Sequence, residues 1–162
     1  MYAWLEWLEA SAFAETLRGA GVWTYGLINL AHILGIATLF GSVLVLDLRL
    51  LGVWRSLPIA SLARPTVPLA AVGFVVAALS GASMLSFNAT EYDGNPFLYL
   101  KLPMIVFGLL NVAVVQRTRA WRNAQAGNGL TAGEQRALAA AGAVSLLTWL
   151  TVLSCGRMIG YW

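Results

Sequence analysis

His32 is the only histidine in this chain, and it lies in a run, residues 22–46, that holds no Asp, Glu, Lys or Arg. A neutral imidazole can ligate a metal or relay a proton. An ionisable group kept within an apolar span is expensive there, which makes it a functional candidate by default. Two cations accompany it: Lys101 interrupts the apolar run 96–116, and Arg157 follows the charge-free run 137–156. Counted along their runs, His32, Lys101, Met104 and Arg157 fall in the same half of the spans, and Asn29 precedes the imidazole by one helical turn. One imidazole beneath two cations is the donor set a haem needs, because the iron takes a neutral imidazole and the propionates take positive partners near water. Each residue also has a plainer role. A lone histidine can be held by hydrogen bonds, and Lys101 and Arg157 can snorkel their charges to the headgroups along their methylene stems. Copper fits less well, since one His, one Cys and scattered Met form no recognisable ligand spacing.

The elements that must position these groups follow from composition. Of 162 residues, 59% are hydrophobic and 10% charged, and the mean hydropathy is +0.74. Soluble domains carry roughly 25% charged residues, so a soluble enzyme or a nucleic-acid module is excluded, and no nucleic-acid partner is expected. About 20 helical residues cross ~30 Å of hydrocarbon. The expected fold is therefore all-α: an integral membrane bundle of four transmembrane helices, near 22–46, 65–87, 96–116 and 137–157, in a single domain. Segment 2–17, with Trp4, Trp7 and Phe13, is expected to form one short interfacial helix. The N-terminus lacks a basic region and carries Glu6 and Glu9, so no cleaved signal peptide is expected.

Charge sets the expected orientation. Seven of ten basic residues (Arg49, Arg55, Arg64, Arg117, Arg119, Arg122 and Arg136) fall between the first two or the last two spans. Short loops rich in Lys and Arg stay in the cytoplasm. Both termini are then expected on the non-cytoplasmic side of a bacterial inner membrane, with the imidazole and its two cations in the outer half. Asp47 and Arg49 are expected at the cytoplasmic boundary, with Gly52 ending helix one.

Helix two is expected to begin after Arg64–Pro65, and its Gly73, Ala77, Gly81 spacing makes a small-residue stripe that lets another helix approach closely. Packing inside the bundle is the main expectation for that stripe, and a homo-oligomer the lesser one. Asp93–Gly94–Asn95–Pro96 is a turn, the stretch to Leu130 a long polar loop, and Thr131 to Glu134 a capping box that opens helix four. Ser145, Thr148, Thr151 and Cys155 make a polar stripe suited to hydrogen bonds between helices. Cys155, the sole cysteine, excludes an intrachain disulfide and reads as a small hydrophobe.

Asp47-Leu-Arg-Leu-Leu-Gly52, placed after Ala31-His32-Ile-Leu-Gly35 and followed by Phe97-Leu-Tyr-Leu-Lys101 and Leu109-Leu-Asn111, resembles the bacterial family DUF6644 over about residues 1–120. That family has no established activity, so the resemblance implies a fold more than a function. Its pattern is usually acidic three positions before the histidine. This chain has Asn29 there, an amide that cannot take up a proton as a carboxylate does. A His in the first span with a Lys opening the third is also distantly similar to HemJ-type protoporphyrinogen oxidases and CopD copper-resistance proteins. The HemJ-type likeness implies that His32 and Lys101 serve haem binding and activity.

Two functional readings follow. In the first, the protein binds haem b, or another redox metal, and acts as an electron carrier or oxidase-like enzyme, with His32 as axial ligand and Lys101 and Arg157 on the propionates. The iron is then five-coordinate, or takes Met104, or takes His32 of a second copy. In the second, the chain is a non-catalytic subunit, assembly factor or small-molecule sensor in which Asn29 and His32 only hydrogen-bond between helices. A transporter has less support, since no inverted repeat is visible. The lipid bilayer is the expected partner in either case. Nothing in the sequence names a redox partner.

Overall fold

The computed structural model describes residues 2–162, and every regular element among them is helical. In chain order these are α1 (Tyr2–Glu9), α2 (Ala12–Gly19), α3 (Trp23–Leu50), α4 (Ile59–Phe87), a 3₁₀ turn (Ala89–Tyr92), α5 (Pro96–Arg117), α6 (Arg119–Gln125), α7 (Ala132–Met158) and a closing 3₁₀ turn (Ile159–Tyr161). Four of them, α3, α4, α5 and α7 with its 3₁₀ extension, are long and apolar enough to cross a membrane.

Local chemistry explains where the elements start and stop, and where they depart from the sequence reading. The expected single helix over 2–17 is two helices, because Ser11 caps a new one: its Oγ accepts from the Ala14 amide at 3.2 Å. Helix α4 begins at Ile59, several residues before Pro65, and carries both Pro65 and Pro68 inside it. A proline removes one backbone bond, which long apolar helices tolerate when hydroxyls and neighbours re-satisfy the freed groups. Thr66 Oγ1 also donates back to Leu62 O at 2.7 Å, beside the Ser61 carbonyl that loses its helical donor at Pro65. The polar stretch before Leu130 contains α6, started by Thr118, whose Oγ1 accepts from the Trp121 amide at 3.1 Å. The capping box forms as expected. Thr131 Oγ1 accepts from the Glu134 amide at 3.2 Å, and Glu134 Oε2 accepts from the Thr131 amide at 2.9 Å. Gly52 stops α3 at a φ of +101°, the left-handed conformation that glycine adopts without strain.

The chain folds into two compact units. The first comprises the described residues up to Leu39 together with Ala71–Asn95. Its α3 and α4 segments meet backbone to backbone: a Cβ on Gly73 would lie 2.5 Å from Leu39 N, and one on Gly35 would lie 2.7 Å from Ala77 N. The small-residue stripe is thus spent on packing within the unit, as the main expectation held. Arg18 ties α2 to the end of α4, donating to Ser86 O (3.3 Å) and Phe87 O (3.2 Å). These are terminal carbonyls that a helix leaves without intrahelical partners.

The second unit comprises Phe40–Ala70 and Pro96–Trp162. Helix α7 buries Leu138, Gly142, Ser145, Trp149 and Val152, a three- and four-residue spacing that keeps one face turned inward. Gly108 of α5 receives Thr148 and the Trp149 ring, 3.2–3.3 Å from where its Cβ would stand. Ile59, Ala63, Ala120, Trp121, Ala124 and Leu138 form the apolar core of this unit.

Candidate functional site

The imidazole of His32 belongs to the first unit, on α3, and its partners come from α4. Nδ1 lies 2.9 Å from Ala77 O and 3.1 Å from Ser80 Oγ. Gly81 makes room for the ring, since a Cβ there would come within 2.9 Å of His32 Cε1. The proton can be placed by elimination. A carbonyl oxygen only accepts, and the single Ser80 proton is directed to Val76 O at 2.5 Å. Nδ1 must therefore carry a hydrogen, shared between Ala77 O and Ser80 Oγ. In the neutral ring this leaves the lone pair on Nε2, the arrangement typical of metal-ligating histidines, whose other N–H is held by a backbone carbonyl. Ser80 is only 8% exposed, so these bonds are shielded from competing water. Asn29 is half-buried one turn earlier on the same helix.

The remaining expected site residues belong to the second unit. Lys101 on α5 is half-buried, with its Nζ 3.1 Å from where a Cβ on Gly156 would stand, so the glycine admits the ammonium to the side of α7. Met104 is half-buried one turn further along α5. Arg157 is exposed, stacks its guanidinium 4.6 Å from the centre of the Tyr161 ring and donates to the Tyr161 hydroxyl. A guanidinium over an aromatic face gains a cation–π attraction.

Two polar features of the second unit add to the sequence reading. Asp47, in the last turn of α3, is buried, only 4% exposed. Its carboxyl hydrogen-bonds the Ser145 side chain, and its Oδ2 has no hydrogen-bond partner. The Ser145-to-Cys155 stripe also makes less use of neighbouring helices than expected. Thr148 and Thr151 turn their hydroxyls back to Val144 O (2.7 Å) and Leu147 O (2.9 Å) of their own helix. Cys155 is buried and free, as a small hydrophobe would be. Sequence reasoning passed over Ser80. Its signal was the i, i+3 and i+4 spacing of Ala77, Ser80 and Gly81, which puts an acceptor, a hydroxyl and a gap on one helical face.

Outside the spans, one carboxylate is strongly held. Glu9 Oε2 accepts from both the amide and the hydroxyl of Thr90, each at 2.8 Å. These two bonds, with a smaller contribution from Arg18, keep its pKa below the ordinary glutamate value. Burial, with Tyr25 and Glu91 nearby, raises that of Tyr92.

Among the described residues, no three or more His, Cys, Asp or Glu side chains gather as a metal cage would require. A ligand that brings its own donor atoms and needs one protein nitrogen remains compatible with His32.

Fold and site together define a class: an all-helical chain with four helices fit to cross a membrane and one oriented imidazole on the first of them. Within that class the chain belongs to DUF6644, a family of unknown function whose model matches residues 4–162. No curated protein and no solved structure matches it.

Proposed function

We propose that this is an integral membrane protein that binds haem b through Nε2 of His32 and serves electron transfer or an oxidase-like reaction. The observation that carries the reading is the hydrogen bond between His32 Nδ1 and Ala77 O. It selects the tautomer with a nitrogen able to coordinate and holds the ring against rotation. A porphyrin supplies four nitrogens of its own, so a single protein ligand is enough. When bound, the haem supplies one-electron chemistry.

The chain's own residues divide the remaining work. Ser80 and Ala77 orient the imidazole and raise its basicity by accepting from Nδ1. Asn29, on the same helix as His32, is assigned as a polar neighbour of the His32 face. The distant likeness to HemJ-type oxidases supports a haem-binding role for His32. The arginine bias of the loops supports a bacterial inner-membrane location with both termini on the non-cytoplasmic side. A periplasm-dependent reporter fused to the C-terminus would then be active.

The experiment is an absorption spectrum of protein purified after haem-replete expression. A Soret band in the wild type and its loss in His32→Ala are expected. Absence of a band from both the purified and the haem-reconstituted wild type overturns the reading.

The same hydrogen bonds favour a second reading, in which His32 only joins two helices of a non-catalytic subunit. There, His32→Leu leaves the cellular phenotype intact and no chromophore is ever retained.

A further inference from the structure

The second unit holds a cavity of about 420 Å³ where the end of α3, the loop 51–58 and the first turns of α7 come together. Arg49, Arg55 and Arg136 line it, beside Gln135, and its apolar wall includes Ile59 and Leu138. Both of these belong to the buried core of the unit, so the wall has a rigid backing. No carboxylate lines the cavity. The acids on the flanking helices are engaged elsewhere: Glu134 accepts from Asn123 and Thr131, and Asp47 is bound to Ser145.

Two of the three guanidiniums, Arg49 at the end of α3 and Arg55 in the loop, are tied to carbonyls of the loop 51–58. Arg49 Nε donates to Leu57 O at 2.6 Å and its Nη2 to Arg55 O at 3.3 Å. Arg55 Nε donates to Gly52 O at 3.2 Å. The loop can curl this tightly because Gly52 and Trp54 take positive φ, +101° and +52°. None of these bonds consumes the Nη groups of Arg55 or the guanidinium of Arg136. Long flexible cations are usually disordered on a surface, and here part of the ordering cost is met before any ligand arrives.

Three planar cations with no counter-charge call for an anion with several acceptor oxygens, and guanidinium matches phosphate oxygens through paired bonds. An apolar wall directly beside the cations, at the ends of helices fit to cross a membrane, calls for a ligand that is half hydrocarbon. Both demands meet in an anionic phospholipid, because basic pockets between transmembrane helices suit such headgroups. We propose that this cavity binds the phosphate headgroup of an anionic glycerophospholipid, with Arg49, Arg55 and Arg136 on the phosphate and the Ile59–Leu138 wall against the first carbons of the acyl region. The site is separate from His32 and does not depend on the haem reading.

Native mass spectrometry of the full chain in detergent, titrated with phosphatidylglycerol or phosphatidylcholine, tests it. Phosphatidylglycerol is expected to bind about tenfold more tightly, the equivalent of one charge-assisted contact. The preference is expected to vanish in Arg55→Gln/Arg136→Gln. Arg136→Gln alone, at an exposed side chain outside the loop's bonds, keeps the fold and is expected to remove part of it. Millimolar inorganic phosphate is expected to leave the bound lipid in place. Equal binding of the two lipids, or an unchanged preference in the double variant, overturns the proposal. Displacement by inorganic phosphate also overturns it, and reassigns the cavity to a free anion.

Discussion

The two units solve the same problem, keeping polar groups inside apolar surroundings, in different ways. In the first, glycines let α3 and α4 meet at backbone distance, and the polar groups of one helix are met by carbonyls and a hydroxyl of the other. His32 finds Ala77 O and Ser80 within 3.1 Å. In the second, side chains fill the gaps left by Gly108 and Gly142, and the carboxyl of Asp47 is only partly satisfied. A residue held by backbone has its direction set by the fold itself, whereas one held by a single side chain depends on that neighbour. This is why the imidazole of the first unit has a fixed direction and the carboxyl of the second depends on Ser145.

The largest expected effect tests the packing half of the comparison. Gly73→Leu sets a side chain against the backbone of Leu39, which cannot retreat, and is expected to destabilise the protein by about 3 kcal/mol or more. Gly108→Ala meets only side chains at 3.2–3.3 Å. Thr148 and Trp149 can shift a few tenths of an ångström, so about 1 kcal/mol is expected. Thermal unfolding in mixed micelles measures both, and equal costs would remove the distinction between backbone and side-chain packing.

A serine in each unit tests the polar half. Ser145→Ala takes away the partner of a buried carboxyl and is expected to cost about 1–3 kcal/mol. Ser80→Ala leaves His32 Nδ1 bonded to Ala77 O, so about 0.5–1 kcal/mol is expected, with the imidazole still oriented. A larger loss for Ser80→Ala would mean that the hydroxyl, and not the carbonyl, fixes the ring.

What the chain displayed beforehand divides along the same line. The span-length helices, the capping box at Thr131 and the stop at Gly52 depend on local periodicity and backbone preference, which a linear sequence exposes directly. The extra turns of α4 before Pro65 were hidden because proline in a helix is penalised locally, yet long apolar helices tolerate it. Ser11 lay within an apolar segment, and a serine signals a cap only once its dihedral angles are known. At the site, His32 drew notice by being alone in a charge-free run. The state of its two nitrogens was set by Ala77 and Ser80, some 45 and 48 residues away in sequence. The burial of Asp47 was hidden for the same reason: charge pattern puts an acid at a helix end, but which way it faces depends on α7 and Ser145.

The smallest expected effect concerns the first unit's surface. The folded pKa of Glu9 lies below the ordinary glutamate value of 4.5. Its carboxylate therefore adds stability that is fully present above that value and fades as pH falls through the lower folded value. Glu9→Gln is expected to lower stability slightly at neutral pH and to flatten the decline below pH 4.5. An unchanged acid-unfolding profile would show that the two Thr90 bonds hold the side chain without favouring its charge.

The role of the His32 ring nitrogen is tested most directly by chemical rescue. In His32→Gly purified after haem-replete expression, the Soret band is expected to be absent and to return on adding haem with imidazole, which can occupy the vacated space beside Gly81 and donate to Ala77 O. A band that persists in His32→Gly without imidazole would contradict the account, because the iron would then be held by some other group.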